Sequence, residues 1–223
     1  TGAKILMWFE NPEGSVTGRL LPTGNPQDEL EVPGLGRLTV SILDASNPLV
    51  FVKASRLGLR GTEPPKELDA SRTFLQQIEA IRSVAAQRIG LVESWQDATR
   101  LSPAVPKAAL VAPPQTYRDL YGNPISAKEV NLVARMMSMQ KTHQAYPLTG
   151  AICTAVAACF PGTLVHEVCR GVEDGGTIRI GHASGIISLQ TELETKEGSF
   201  QVRRVGVTRT ARRIMEGFVY VNL

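Results

Sequence analysis

Apolar residues recur along this chain at two spacings, and the switch from one to the other divides it into strands and helices. Lys4 to Phe9 is a strand-like run that Asn11-Pro12-Glu13-Gly14 closes with turn chemistry. From Ser15 to Gly36, repeated Gly and Pro residues interrupt any helix or long central strand, which predicts a crossover or domain boundary. Two β-rich runs follow, Arg37 to Leu43 and Leu49 to Val52, joined by Asp44-Ala45-Ser46-Asn47-Pro48. Ser71 is placed to cap a helix to about Arg88, since Phe74, Ile78, Ile81, Ala85 and Ile89 recur at helical spacing before Gly90. Ala108 to Ala112, stopped by Pro113-Pro114, reads as a buried strand.

A second helix is predicted to start at Ser126, where Ser126-Ala127-Lys128-Glu129 is a capping-box pattern. It would run through Val130, Val133 and Met137 and end before Pro147. Thr149 is predicted to cap the Ala-rich, charge-free segment Ala151 to Phe160, which reads as a buried central helix. Beyond Pro161-Gly162 the pattern is β-like at Thr163–Val168, Thr177–Ile180, Ile186–Thr191, Ser199–Thr208 and Phe218–Val221. Strands and helices do not alternate strictly, so the expected fold is α+β: a mixed or antiparallel sheet wrapped around a buried helix.

Composition narrows the partners. Lys and Arg number 24 against 21 Asp and Glu, giving +3 with the basic residues scattered, and aromatics make up 5%. Both features argue against nucleic acid. Cys153, Cys159 and Cys169 are odd in number and lack C-x-x-C spacing, which argues against a disulfide framework or a zinc site and leads us to expect a reducing, cytoplasmic setting. No apolar stretch approaches the roughly 20 residues that cross a bilayer, so no membrane partner is expected. The start, Thr1-Gly2-Ala3-Lys4, enters a strand at once without an initiator Met, as a cut through a larger protein would.

Walker, G-x-G-x-x-G, G-x-S-x-G and H-E-x-x-H motifs do not occur. The remaining candidates are small-residue loops, which can turn several N–H groups toward an anion. Leu148-Thr149-Gly150-Ala151 opens the buried helix, where free amides can hold a carboxylate; an ordinary Thr cap with a packing glycine is the plainer reading. Gly181-His182-Ala183-Ser184-Gly185 offers an imidazole and a hydroxyl, or is simply a tight hairpin loop. Ser138, Lys141 and His143 can capture a ligand or form a solvated helix end, with Ser138, Lys141 and Gln144 on one helical face. Asn47 can offer its amide, though Asn before Pro is a common turn pair. The cysteines read as buried inert thiols and His166 as a structural residue in a strand. Thr208 to Arg213 is a basic cluster that suits a polyanion or a solvated connection equally.

Six segments in register carry a family resemblance. They are Gly14-Ser15-Val16-Thr17-Gly18 with Leu21-Pro22-Thr23-Gly24-Asn25; Asp44-Ala45-Ser46-Asn47-Pro48; Ser138-Met139 with His143 and Ala145; Thr149-Gly150-Ala151; Gly181-His182-Ala183-Ser184-Gly185; and Thr210 to Gly217. Across essentially its whole length the chain resembles the PrpF family of cofactor-free isomerases, which act on acids such as 2-methylaconitate, methylitaconate and oxalomesaconate. The resemblance implies a diaminopimelate-epimerase-like fold of two similar halves with the active site between them. Residues 1–36 would be the end of the first half and the crossover, and residues 37–223 the second domain, its C-terminal strand packing back on the first half.

Tyr146-Pro147-Leu148-Thr149 lacks the cysteine of a two-thiol epimerase. The family's lysine and cysteine fall upstream of Thr1, so no catalytic residue is expected in this chain. The expected substrate contacts are Asn47, Ser138, His143, Thr149, Gly150, His182 and Ser184, with no cofactor and no metal. Expected partners are a small unsaturated polycarboxylate and the N-terminal half of the same protein; a homo-oligomer is left open. Ala183 stands where the family more often has proline, which leaves that loop less rigid. The chain alone would hold substrate without turning it over. The rival reading is a non-catalytic carboxylate-binding or accessory module.

Overall fold

The computed structural model describes residues 2–171, 176–196 and 199–221. In chain order its elements are strands β1 (Ala3–Glu10), β2 (Asp28–Val32), β3 (Gly36–Asp44) and β4 (Pro48–Lys53), then helices α1 (Pro65–Ala70), α2 (Arg72–Arg88) and α3 (Ala98–Leu101). Strands β5 (Lys107–Ala112), β6 (Tyr117–Arg118), β7 (Pro124–Ile125), β8 (Leu132–Ser138) and β9 (Lys141–Thr142) lead to helices α4 (Leu148–Cys159) and α5 (Leu164–Val168). Strands β10 (Thr177–His182), β11 (Gly185–Lys196) and β12 (Ser199–Ala211) complete the order. One sheet runs β1-β12-β11-β10-β8-β5-β4-β3-β2, with β9 attached to β8, and β6 pairs with β7 in a separate hairpin. The β4/β5 and β8/β10 pairs are parallel and the remaining neighbours antiparallel, so the sheet is mixed, as expected.

The central strands are apolar on both faces because both faces are covered. Leu49, Phe51, Ala109, Val111, Ala134, Met136, Ile178 and Ile180 meet α4 and α5 in one core. Their alternating neighbours Val50, Val52, Ala108, Leu110, Val133 and Met137 meet Phe74, Ile78, Ile81 and Ala85 of α2 in the other. Ser71 caps α2, its hydroxyl accepting from Phe74 N at 3.2 Å. Every residue of α4 from Gly150 to Cys159 is buried, and this helix touches β3, β4, β10 and β11. The sheet therefore wraps around it, as the small side chains along α4 allow.

Five expectations are corrected. Ser126 and Glu129 do form a capping box, but it starts a single 3-10 turn, 127–129, and not a helix to Pro147. The chain then enters β8, and Met139 and Gln140 turn it into β9 with φ of 52° and 63°. A strand buried on both faces satisfies helical and β spacing alike, so Val130, Val133 and Met137 did not discriminate. Thr163 to Val168 is not a strand: Thr163 caps α5, its hydroxyl accepting from His166 N at 3.0 Å, and His166 lies on that helix. Thr149 sits inside the first turn of α4, with Pro147 at the cap position, so it is not the cap. Phe218 to Val221 is exposed and joins no strand, and the irregular stretch before Gly36 contains β2.

Candidate functional site

Strand register brings the candidate residues to one end of the α4 face. Lys107 alternates with Ala109 and Val111 of the α4-side core, and its register partner is Leu49 at the head of β4. Ala108 pairs with Met137, so one step further Lys107 faces Ser138 across the β5/β8 pair. The β8–β9 hairpin folds His143 back beside Met136, with His143 N donating to Met136 O at 2.9 Å. Gln144, Ala145 and Tyr146 then lead into α4.

This end of the molecule gathers hydrogen-bond donors and positive charge. The Lys107 ammonium is half-buried and donates to Asn47 Oδ1 at 3.2 Å, which leaves the Asn47 amide N–H groups without an acceptor among the described residues. Among the described residues no carboxylate lies within ion-pair distance of Lys107, and burial pushes its pKa below the ordinary lysine value. Burial, together with the charge of Lys107, lowers His143. Helix α4 opens without a side-chain cap, and its first N–H with a protein acceptor among the described residues is that of Ala151, to Pro147 O at 2.8 Å. The amides of Leu148, Thr149 and Gly150 thus form the positive end of the helix, and Gly150 packs against Met136 and near Leu49, the register partner of Lys107.

The His182 loop completes the wall. Residues 182 and 185 pair as the last rung of the β10/β11 hairpin, so the tight-hairpin reading of this loop holds. Ser184 N donates to His182 Nδ1 at 3.2 Å, which places the proton of a neutral imidazole on Nε2 as a donor. Burial and then the nearby Arg135 charge lower His182 to about 4, so the ring is neutral at pH 7. The Ser184 hydroxyl bonds to Gln144 O, and the Tyr146 and His182 rings lie 6.3 Å apart. The loop is thereby tied to the segment that enters α4.

Sequence reasoning selected Asn47, Ser138, His143, Thr149, His182 and Ser184, and all of them fall at this end. Gly150 falls here too, but for a packing reason: a Cβ on it would sit 2.2 Å from Met136 Cε. Its Cα therefore faces the core, and its backbone N–H has no protein acceptor among the described residues. Ser138, Lys141 and Gln144 do not share a helical face, since a hairpin turn separates Ser138 from Lys141. Lys107 was missed, although a lone cation at the head of the apolar run Lys107-Ala108-Ala109-Leu110-Val111 marks it. Arg135, the one charge inside Leu132-Val133-Ala134-Arg135-Met136-Met137, was missed as well. The three cysteines are buried, as expected, with Cys153 held well above the ordinary thiol range by desolvation. Among the described residues no group of three His, Cys, Asp or Glu is placed to hold a metal, and no helix is long and apolar enough to cross a membrane.

Comparison with known proteins gives this geometry a context. The chain is 41% identical over 223 residues to 3-methylitaconate isomerase of Eubacterium barkeri, covering 100% of this chain and 57% of that protein. It is 36% identical over 222 residues to 2-methyl-aconitate isomerase of Shewanella oneidensis, covering 98% of this chain and 55% of the relative. The chain thus spans little more than half the length of these relatives. A crystal structure of methylitaconate-delta-isomerase superposes with a TM-score of 0.90 at 41% identity over 99% of this chain and 56% of that one. A hydroxyproline epimerase matches at a TM-score of 0.50 and 12% identity, covering 85% of this chain and 48% of that one, and so shares the fold alone. The architecture is that of the diaminopimelate-epimerase-like fold. With the family model described as PrpF protein matching residues 1–222, the chain belongs to the PrpF family.

Proposed function

We propose that this chain is the substrate-anchoring half of a cofactor-independent isomerase that shifts a double bond or a proton in small unsaturated di- or tricarboxylic acids. The observation that carries the reading is the half-buried Lys107 ammonium, which has no carboxylate partner among the described residues and donates to Asn47, while the uncapped start of α4 packs at Gly150 near Leu49, the register partner of Lys107. A cation desolvated without an anion is costly, and a substrate carboxylate offsets that cost. Its relatives' names, isomerases of methylitaconate and methyl-aconitate, give the same substrate class.

The reaction removes an allylic proton next to a carboxylate-conjugated double bond and returns one at another carbon. Between those steps the electron pair spreads into the carboxylate, so fixed donors at its oxygens lower the barrier. Lys107, the Asn47 amide, the α4 amides and His182 Nε2–H are assigned that role, with Ser138, His143, Thr149 and Ser184 completing the wall. The proton-transfer base belongs to the part of the family's length that this chain does not span. All three thiols here are buried.

Residues 1–36 are read as the end of the first half and the crossover, and residues 37–223 as the second domain. The C-terminal segment is read as packing back on the first half. Support comes from Ile214, Met215, Phe218, Val219, Tyr220 and Val221, which are 73–97% exposed, and from the half-exposed Ile5, Leu6 and Met7 on the outer strand β1.

The test supplies the intact protein with methylaconitate, methylitaconate and oxalomesaconate and follows the ultraviolet absorbance of the conjugated diacid. Turnover of any one is expected. Saturable binding without turnover would instead favour a carboxylate-binding module, and neither binding nor turnover would refute both.

A further inference from the structure

Arg135 lies on strand β8 among residues of the α2-side core, while the candidate site opens on the α4 side. It is 2% exposed, and no acidic side chain among the described residues lies within ion-pair distance of it. Its guanidinium instead donates to three backbone carbonyls, Glu63 O at 2.7 Å, Thr62 O at 2.8 Å and Ala134 O at 2.9 Å. The Glu63 carboxylate is already engaged by the amides of Arg60 and Gly61, at 2.6 and 2.8 Å. A buried charge held in this way is poor evidence for stability, because an apolar side chain of similar volume would often do as well or better. What the charge touches is Tyr117: the guanidinium carbon lies 5.3 Å from the centre of its ring.

Tyr117 opens the small β6–β7 hairpin and reaches through to the His182 loop. Its hydroxyl is 2.8 Å from both His182 O and Gly185 O, the carbonyls on either side of the turn, which share its proton. Leu120 N, from the same hairpin, donates to Ala183 O at 2.8 Å. The hairpin thus captures the carbonyls of residues 182, 183 and 185. The Tyr117 hydroxyl also lies 3.1 Å from where a Cβ on Gly181 would stand, so a side chain there would crowd the contact. With these carbonyls tied back and Ser184 N and Oγ engaged, the donor the turn leaves without a protein acceptor among the described residues is His182 Nε2–H, the polarity that an anion requires.

We propose that Arg135 and Tyr117 are positioning residues of the site: Arg135 fixes Tyr117, and Tyr117 clamps the carbonyls of the His182–Gly185 turn so that its donors face the substrate carboxylate. Neither touches substrate. The inference rests on the functional reading above as far as substrate is concerned, while the clamp itself is structural and is read separately.

The test compares Tyr117→Phe and Arg135→Lys with the wild type in the intact protein. Tyr117→Phe keeps the ring under the guanidinium and loses the hydroxyl. Arg135→Lys keeps the charge and loses the fork. Each is expected to raise KM about ten-fold, the equivalent of one net hydrogen bond, with kcat changed less than about three-fold. The chain has three histidines, so the His182 imidazole signal can be assigned by its loss in His182→Gln. It is expected to move in Tyr117→Phe while those of His143 and His166 stay in place. A folded Tyr117→Phe protein with wild-type KM and an unmoved His182 signal overturns the proposal. If the wild type turns over none of the three acids, the functional reading fails and the His182 signal alone decides the clamp.

Discussion

Replacing Lys107 by Met separates substrate anchoring from stability because the two effects have opposite signs. Met keeps the apolar stem and removes the ammonium. At an effective dielectric of about 20, a cation and a carboxylate about 4 Å apart attract by roughly 4 kcal/mol before desolvation. The net value of a charge-assisted hydrogen bond is about 1.5–3 kcal/mol, and the partial exposure of Lys107 argues for the lower end. KM for the diacid is therefore expected to rise about ten- to thirty-fold. Stability of the free protein should move the other way or not at all. The described partner lost is the Asn47 side chain, at 3.2 Å, and a desolvated charge is removed with it. Steady-state kinetics and urea unfolding on the same preparations give both numbers. A third reading comes from His143, whose pKa burial lowers first and the Lys107 charge lowers further. It should rise in the variant, as a proton NMR titration would register. An unchanged KM together with a loss of stability would refute the anchor and leave Lys107 a structural residue. Lys107→Arg, which keeps the charge, should recover part of the lost affinity.

Other residues give independent checks. Gly150→Ala, which in an unhindered helix would stabilise by about 1 kcal/mol, is expected to destabilise by about 1–3 kcal/mol. The new Cβ would stand 2.2 Å from Met136 Cε and 2.6 Å from its Sδ, so the same change in a Met136→Ala background should become neutral or favourable in urea unfolding. The buried Asp44 carboxylate accepts from Ser15 Oγ, Val16 N, Thr17 N and Thr17 Oγ1 at 2.6–2.9 Å. Asp44→Ala is therefore expected to cost about 2–4 kcal/mol, and a loss under 1 kcal/mol would show the 14–18 loop to be held by other means. His182 titrates near 4 in the folded chain and near 6.5 unfolded, so the unfolded state takes the proton first as pH falls. Its contribution is complete above about pH 7 and is lost from there to about pH 4, by roughly 3 kcal/mol at most, and His182→Gln should flatten that part of the stability profile.

Long elements with one dominant period were legible in the sequence. Helix α2 presents one apolar stripe to the sheet, and Ser71 and Gly90 mark its ends; β4 and β5 are short apolar runs bounded by turn residues. The 130–137 segment was not legible. From Val130 to Met137 every residue is buried, so burial imposes no period and the capping box at Ser126 became the deciding local signal. Thr163 to Val168 failed for a different reason. Its β-branched composition favours a strand, but a five-residue element obeys its cap and its packing on β3, β4 and β5 before its propensity. Strand β2 was hidden because Pro26 and Gly34 frame a run of only five residues.

The β8–β9 hairpin decides whether Ser138 and His143 can share one site. On a helix, Ser138 and His143 would lie five residues and about 140° apart, and could not serve one ligand. In the hairpin, the turn at Met139 and Gln140 returns the chain so that both stand on the α4 side, beside Met136 and across from Lys107. Loop chemistry could identify those residues without predicting how they meet, because turn residues keep their signature whatever element they join. The charge of the site had no such signature. Lys107 gains its meaning from register, which sets the head of β5 between the head of β4 and the end of β8, where Gly150 of α4 packs on Leu49 and Met136, and register is a property of pairing between strands far apart in the chain. A family's loops can therefore be read from one sequence, while the cation on which the proposed carboxylate site rests emerges only when the sheet is assembled.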